Sequence, residues 1–483
     1  MGTKAIVVIS DIHMAADDRM GIFHGGAELE AFIEHQAKRP GELELVILGD
    51  ALDYLQILPD LSFTSQHAGD KTKLIIDHNP GVFKALGALL DAPGKTLVWC
   101  IGNHDIELLF ESARAAIEEA LFGAGAPPAR KTRLTWHLNG SSRVYPLADG
   151  TQIRLNHGNQ PDKWNRIDYA KARTIAESGG DPEFVYPHGS LLVAKVLNPL
   201  KEDGYGHVDL LKPEESVAIP LSLALWPSRT KELLRDAFQV SRQVFWESVV
   251  EAVAKPFRTQ EQYFGKNDPQ GLERTLPPGL AELIADGLRE AAQEAGDGRR
   301  AGDLKALLEV EDNDAEEPVK IGAEPTATFE LRPASRALSY LFRGSAAVAA
   351  RLDRSFELDT TEKAGIGEQA KRAFKEQKVA VMVVGHTHMA RAVTMEDGYY
   401  LNTGTWADLM RLPQSLPDAS FHASAKSLRA HLKNPELAPW HLRPFRRPTY
   451  VEINIGPQAN GKSYSAALKQ WCPAPTMELF QFP

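Results

Sequence analysis

The stretch VMVVGHTHMARAV, Val381 to Val393, sets a run of apolar, mostly β-branched residues directly against a glycine and two histidines, His386 and His388. A short apolar run that stops at a glycine reads as a strand covered on both faces. The pair itself carries little, because 15 histidines in 483 residues yield roughly 0.5 His-x-His pairs by chance. What matters is whether other strand ends deliver comparable groups.

Four others do. Lys4 to Ile9 (KAIVVI), Leu43 to Leu48 (LELVIL) and Thr96 to Ile101 (TLVWCI) are runs of the same kind. They end in SDIH (Ser10 to His13), GDALD (Gly49 to Asp53) and GNHD (Gly102 to Asp105). A fourth strand candidate, Gln152 to Asn156 (QIRLN), ends in His157 and Gly158. Helix-like segments such as Gly81 to Asp91 lie between the early runs, so strand and helix alternate. In such α/β chains ligands gather at the carboxyl ends of the strands. Past the opening stretch, Tyr399 to Leu401 and Tyr450 to Ile455 are expected to complete the sheets.

The strand ends supply carboxylates, an amide and imidazoles, a mixed nitrogen and oxygen donor set suited to ions such as Zn, Mn and Fe. Asp11 and His13 stand two apart, so both side chains can turn the same way where the strand runs out. Asp50 follows Gly49, which permits a tight turn and leaves the carboxylate free to sit between two ions.

The bulk numbers bound the function. A net charge of -10 gives no global attraction for nucleic acid or anionic membrane, although a local basic groove can hide inside an acidic average. Two cysteines, Cys100 and Cys472, are too few for a disulfide framework, so a reducing, cytoplasmic setting is expected. The N-terminus lacks a signal-peptide pattern, and no apolar run approaches the length of a membrane span. Residues 159–378 have a different texture, with helical spacing over 228–255, 278–295, 333–354 and 361–377 and an acidic run, EVEDNDAEEP (Glu309 to Pro318), read as a solvated loop. We expect an inserted, mainly helical cap there, between a core formed by residues 1–158 and 379–483.

The order DxH, GDxxD, GNHD, HG, GHxH resembles the calcineurin-like metallophosphoesterases, carried here by Asp11 and His13, Asp50 and Asp53, Asn103 to Asp105, His157 and Gly158, and His386 and His388. The resemblance implies a β-sandwich flanked by helices and a phosphoric ester hydrolase with two divalent ions, manganese first, with iron or zinc as alternatives. It assigns Asp11, His13 and His388 to the first ion, Asn103, His157 and His386 to the second, and Asp50 as the bridge between them. A hydroxide bridging the ions would be the nucleophile. His104 would face the phosphate and serve the leaving oxygen, with Asp105 placed to orient it; for Asp53 a supporting acceptor and a structural cap are equally open.

Two features bear on the substrate. The segments YYLNTGTWAD (Tyr399 to Asp408) and GNHDIELLF (Gly102 to Phe110) look like the branch containing the UDP-2,3-diacylglucosamine pyrophosphatases, while the apolar stretch Ile219 to Trp226 is too short to establish a lipid pocket. Near the mouth, Lys163, Trp164 and Arg166 offer cations and an aromatic ring able to grip a phosphate and stack a base. The expected substrate is a small nucleotide-like phosphodiester or pyrophosphate. A phosphomonoesterase, a nuclease on the same centre and a non-enzymatic scaffold are the alternatives.

Overall fold

The computed structural model describes residues 4–57, 61–162, 164–210, 368–395, 398–410, 421–440, 443–457, 463–472 and 477–482. Its first strands are β1 (Lys4–Ile9), β2 (Leu43–Leu48), β3 (Phe63–Thr64), β4 (Lys95–Cys100), β5 (Leu134–His137), β6 (Arg143–Pro146) and β7 (Gln152–Leu155). They are followed by β8 (Gly180–Asp181), β9 (Val379–Val384), β10 (Arg391–Met395), β11 (Gly398–Asn402), β12 (Thr449–Ile455), β13 (Tyr464–Gln470) and β14 (Met477–Phe482).

One sheet runs β14-β13-β12-β1-β2-β4-β5, with β1, β2, β4 and β5 parallel and the β12 side antiparallel. The second runs β10-β11-β9-β7-β6, with β7, β9 and β11 parallel. Ile6, Val8, Val46, Leu48 and Val98 of the first sheet share one buried cluster with Ile153, Leu155, Val381, Val383 and Leu401 of the second. The two sheets therefore form a sandwich, and each such side chain contributes about 1.5–3 kcal/mol by leaving water.

The outer faces are covered by helices. On the first sheet, Phe32 of α1 (Gly26–Lys38) packs on Trp406, Tyr450 and Trp471. Phe83, from the helix Pro80–Asp91, stacks 6.5 Å from Trp99. On the second sheet, Phe374, from the helix Glu368–Gln377, packs with Met382, Val384 and Val393. With both faces covered, β2 and β9 are buried at every position, which is why their sequences are nearly continuous apolar runs, Glu44 in β2 excepted, instead of alternating.

Two compact units are distinguished by their contacts: Met1–Leu210, Asp353–Met410 and Arg443–Pro483 make the first, and the helix Phe421–Lys433 with the turn Pro435–Leu437 belongs to the second. The helical expectations over 228–255, 278–295 and 333–354, the acidic run and Ile219 to Trp226 lie outside the described residues. Residues 159–210, the start of the expected insertion, sit in the first unit. Buried Lys201 pairs there with buried Asp209 and donates to the Met20 carbonyl, while Asn198 Nδ2 donates to the Leu55 carbonyl at 2.7 Å. Among the described residues no helix is long and apolar enough to cross a membrane.

Candidate metal centre

Five strands, β1, β2, β4, β7 and β9, deliver their last residues to one place. The turns interlock through the backbone: Ile12 and His13 both donate to the Asp50 carbonyl, at 2.9 and 3.0 Å, and Gly385 donates to the His157 carbonyl at 2.8 Å. Thr387 N donates to the Gly385 carbonyl at 2.8 Å, which closes a three-residue turn around His386 and separates its ring from that of His388. Behind that turn, Asn402 Nδ2 donates to the Gly385 carbonyl at 2.9 Å and to Thr387 Oγ1 at 3.1 Å. The segment first read as a branch marker thus braces the histidine turn.

Six non-glycine residues among those described have positive φ, and five of them are Asp11, His13, Asp50, His386 and His388. This left-handed conformation is uncommon outside glycine, tolerated best by Asn, Asp and His, and clusters at functional sites. Two glycines make the approach possible. A Cβ on Gly102 would meet Asp50 Oδ1 at 2.1 Å, and one on Gly385 would meet Asp11 Oδ2 at 2.5 Å.

The donors fall into groups that could hold metal ions: Asp11, His13 and His388; Asp50, His157 and His386; and His13, Asp53 and His104. His157 Nδ1 lies 2.9 Å from the Leu48 carbonyl, which can only accept, so the proton is on Nδ1. Its Nε2 then faces Asp50 Oδ2 and Asn103 Oδ1, each at 3.0 Å. The point where these oxygens meet the ring nitrogen calls for positive charge, which either a proton on Nε2 or a bound cation supplies. Burial works to lower the His157 pKa, but the charges of Asp50 and Asp11 outweigh it and raise it to about 9, so the ring takes the proton where no cation is bound. His13 Nε2 and His388 Nε2 face each other at 3.0 Å, with Asp11 Oδ1 3.5 Å from the latter. Asp50 Oδ2, 3.0 Å from His157 Nε2 and 3.9 Å from His13 Nε2, stands between the two groups.

The carboxylates record the same crowding. Burial raises Asp50, yet the imidazoles of His157, His104 and His13 hold it well below the usual range. Asp11 moves up, chiefly through burial, with His157 opposing and Asp50 adding to the rise. A buried pocket cannot keep both fully ionised without added positive charge. The donor set and its spacing fit divalent ions.

His104, with 13% of its side chain exposed, and His386, with 12%, are open to the outside, whereas Asp11, His13, Asp50, Asn103 and His157 are buried. His104 Nδ1 lies 3.2 Å from Asp53 Oδ2, which also sits 2.8 Å from His13 Nδ1. The partner expected for His104, Asp105, is engaged elsewhere: its oxygens accept from Gly102 N at 2.6 Å and Ala51 N at 2.9 Å. Asp105 therefore pins two strand-end turns together, and burial, reinforced by the charge of Asp50, raises its pKa to about 7. Asp53 combines both roles left open for it, since its other oxygen accepts from Leu55 N at 3.2 Å and caps a short turn.

Of the mouth residues, Lys163 lies outside the described residues. Arg166 is exposed, with Nε donating to the Gln160 carbonyl at 2.8 Å, and the ring of half-buried Trp164 lies 6.5 Å from that of His188. The residues of this loop that face the centre are others. Asp162 Oδ2 lies 2.9 Å from His386 Nε2, and Asn165 Oδ1 accepts from Asn103 Nδ2 at 3.4 Å. The only sequence signal for them was their nearness to His157.

Residues 4–211 match a family model described as Calcineurin-like phosphoesterase. The matched span contains Asp11, His13, Asp50, Asn103, His104 and His157 and ends before His386 and His388. No curated protein matches the chain. The match supports the superfamily resemblance and, with the clustered His and Asp groups, a metal-dependent phosphoester hydrolase.

Proposed function

We propose that the protein is a dinuclear-metal phosphoric ester hydrolase acting on a phosphodiester or pyrophosphate bond of a small nucleotide-like substrate. One observation carries the reading: ring nitrogens and carboxylates from five strand ends converge on shared points, with Asp50 between the two groups. Asp11, His13 and His388 would hold one ion and Asn103, His157 and His386 the other. When bound, two such ions, manganese in our reading, supply Lewis acidity at the phosphoryl oxygens and a nucleophile derived from water at neutral pH.

The chain's own residues do the rest. Asp50 accepts from His104 N at 2.8 Å, so the turn that carries His104 is fixed relative to the carboxylate. Asp53 Oδ2, 3.2 Å from His104 Nδ1, would orient the ring so that Nε2 carries a proton toward the departing ester oxygen. Partial exposure of His104 gives that nitrogen access to a bound ester, while burial of the other donors keeps bulk water away from them. Trp164 and Arg166 are assigned to the substrate's far end, and an unchanged KM for a nucleotide diester in Trp164→Ala would remove the ring from that role.

The test is hydrolysis of an aryl phosphodiester and an aryl phosphomonoester by the purified protein with Mn²⁺. Asp50→Ala should abolish it, and His104→Ala should lower it, most for esters whose leaving oxygen needs a proton. Wild-type turnover in Asp50→Ala would refute the dinuclear reading. Comparing monoesters, diesters, nucleotide-sugars and nucleic acid separates the proposed substrate class from a phosphatase or nuclease.

A further inference from the structure

We infer that Asp162 and Asn165 act together as positioning residues for the second ion, so that a single loop governs the loading of one half of the centre. The inference rests on the dinuclear reading above. Each histidine tied to an acceptor has one ring nitrogen held and the other left for a ligand. In His13 and His157 the held nitrogen is Nδ1, secured by Asp53 at 2.8 Å and by the Leu48 carbonyl at 2.9 Å. His386 is reversed: its Nε2 is held by Asp162 Oδ2 at 2.9 Å, leaving Nδ1 as the lone-pair nitrogen. Asp53 and Leu48 belong to the β2 strand end, whereas Asp162 lies in the loop that follows β7.

The same loop fixes a second donor. Asn165 Oδ1 accepts from Asn103 Nδ2 at 3.4 Å, which turns the Asn103 oxygen toward His157 Nε2. Asp162 and Asn165 are themselves joined, with Asn165 Nδ2 donating to Asp162 Oδ2 at 2.7 Å. Asn159 Nδ2 anchors the loop on the Asn165 carbonyl at 2.9 Å, and Tyr169 ties it to the Gly102 carbonyl at 3.1 Å. Asn165 is buried, and a Cβ on Gly189 would lie 2.0 Å from its Oδ1, so the amide has little room to rotate. Two of the three donors assigned to the second ion alone are thus oriented by one short segment. Outer partners of metal-binding imidazoles set ring orientation, and their loss weakens metal affinity about 10–100-fold.

The experiment is Mn²⁺ titration of the full chain by calorimetry, paired with electron paramagnetic resonance to separate spin-coupled pairs from isolated ions. Wild type should bind two ions. Asp162→Ala should keep one at wild-type affinity and lose about 10–100-fold at the other, with the coupled signal replaced by that of isolated Mn²⁺. Asp162→Asn, which preserves an oxygen acceptor for His386, should recover most of the loss. It also carries the test if the alanine variant is unstable. Two unweakened ions in Asp162→Ala, equal weakening of both, or an asparagine variant as weak as alanine would overturn the inference while leaving the dinuclear reading intact. A wild type that binds fewer than two ions would instead refute that reading.

Discussion

Replacing Asp53 with asparagine changes one charge and almost no volume at a position with no exposed surface. Three nitrogens lie against this carboxylate: His13 Nδ1 at 2.8 Å and Leu55 N at 3.2 Å in hydrogen bonds, and His104 Nδ1 at 3.2 Å as an ion-pair partner. An asparagine has a single oxygen and brings two donors of its own. Either orientation sets a donor against a donor, so a stability loss of about 1–3 kcal/mol is expected. The effect on rate should be larger and selective. If His104 protonates the leaving oxygen, loss of its partner removes a contribution of about 10²–10⁴, or about 3–5 kcal/mol of barrier. The assay compares kcat for an alkyl phosphodiester, whose leaving oxygen needs a proton, with kcat for a nitrophenyl diester, whose leaving oxygen does not. Metal content is measured alongside, because His13 shares the same carboxylate. Asp53→Asn should depress the alkyl reaction far more than the aryl one with metal retained, and should add little to His104→Ala. Equal losses on both substrates, or losses that multiply in the double variant, would refute the role of the Asp53 and His104 pair.

Gly102→Ala should eliminate turnover while the chain still folds, because the added methyl would meet Asp50 Oδ1 at 2.1 Å; activity within tenfold of wild type would contradict this geometry. Asp209→Ala should lower unfolding free energy by about 3–5 kcal/mol in denaturant titration, since it strands buried Lys201 without its ionic partner. His24 has its pKa raised, first by its hydrogen bond to Asp408 at 2.7 Å, with burial opposing and the Asp18 carbonyl assisting. A raised folded pKa stabilises fully below the unfolded value of 6.5 and fades as pH rises through the folded one. The stability gap between wild type and His24→Gln should therefore be widest near pH 5.5 and narrow on the alkaline side of 6.5. A gap independent of pH would show that the imidazole acts only through packing there.

Four of the strands that end in the centre, β1, β2, β4 and β9, were legible because nearly every position is buried, which leaves a nearly continuous apolar run. Val379–Val384 is buried at every position, and the chemistry begins just past it, at Gly385 and His386. β5 and β6, with exposed positions and polar residues, gave no comparable signal and went unread. The polar partners were harder. Asp105 adjoins His104 in sequence while Asp53 lies far upstream, and adjacency favoured Asp105. Backbone donors at Gly102 and Ala51 claim that carboxylate, which leaves Asp53 for the ring. Asp162 and Asn165 lie in a loop whose geometry follows from tertiary contacts and has no periodicity to read. Lys163, Trp164 and Arg166 were singled out there because cations and aromatic rings suggest ligands. Two short polar side chains of the same loop, Asp162 and Asn165, are the ones that reach His386 and Asn103.

The left-handed backbone at Asp11, His13, Asp50, His386 and His388 sets stability against activity within single residues. At each of these positions glycine would fit the backbone better and would dilute the buried negative charge or the facing imidazoles. An apo protein selected for thermal resistance alone should therefore shed its ligands first, and its most stable descendants should be inert. Selection under metal-replete conditions works the other way, because ions that bind only the folded state offset the strain they exploit. Thermostability screens of this fold will separate the two regimes only if metal concentration is held as an explicit variable.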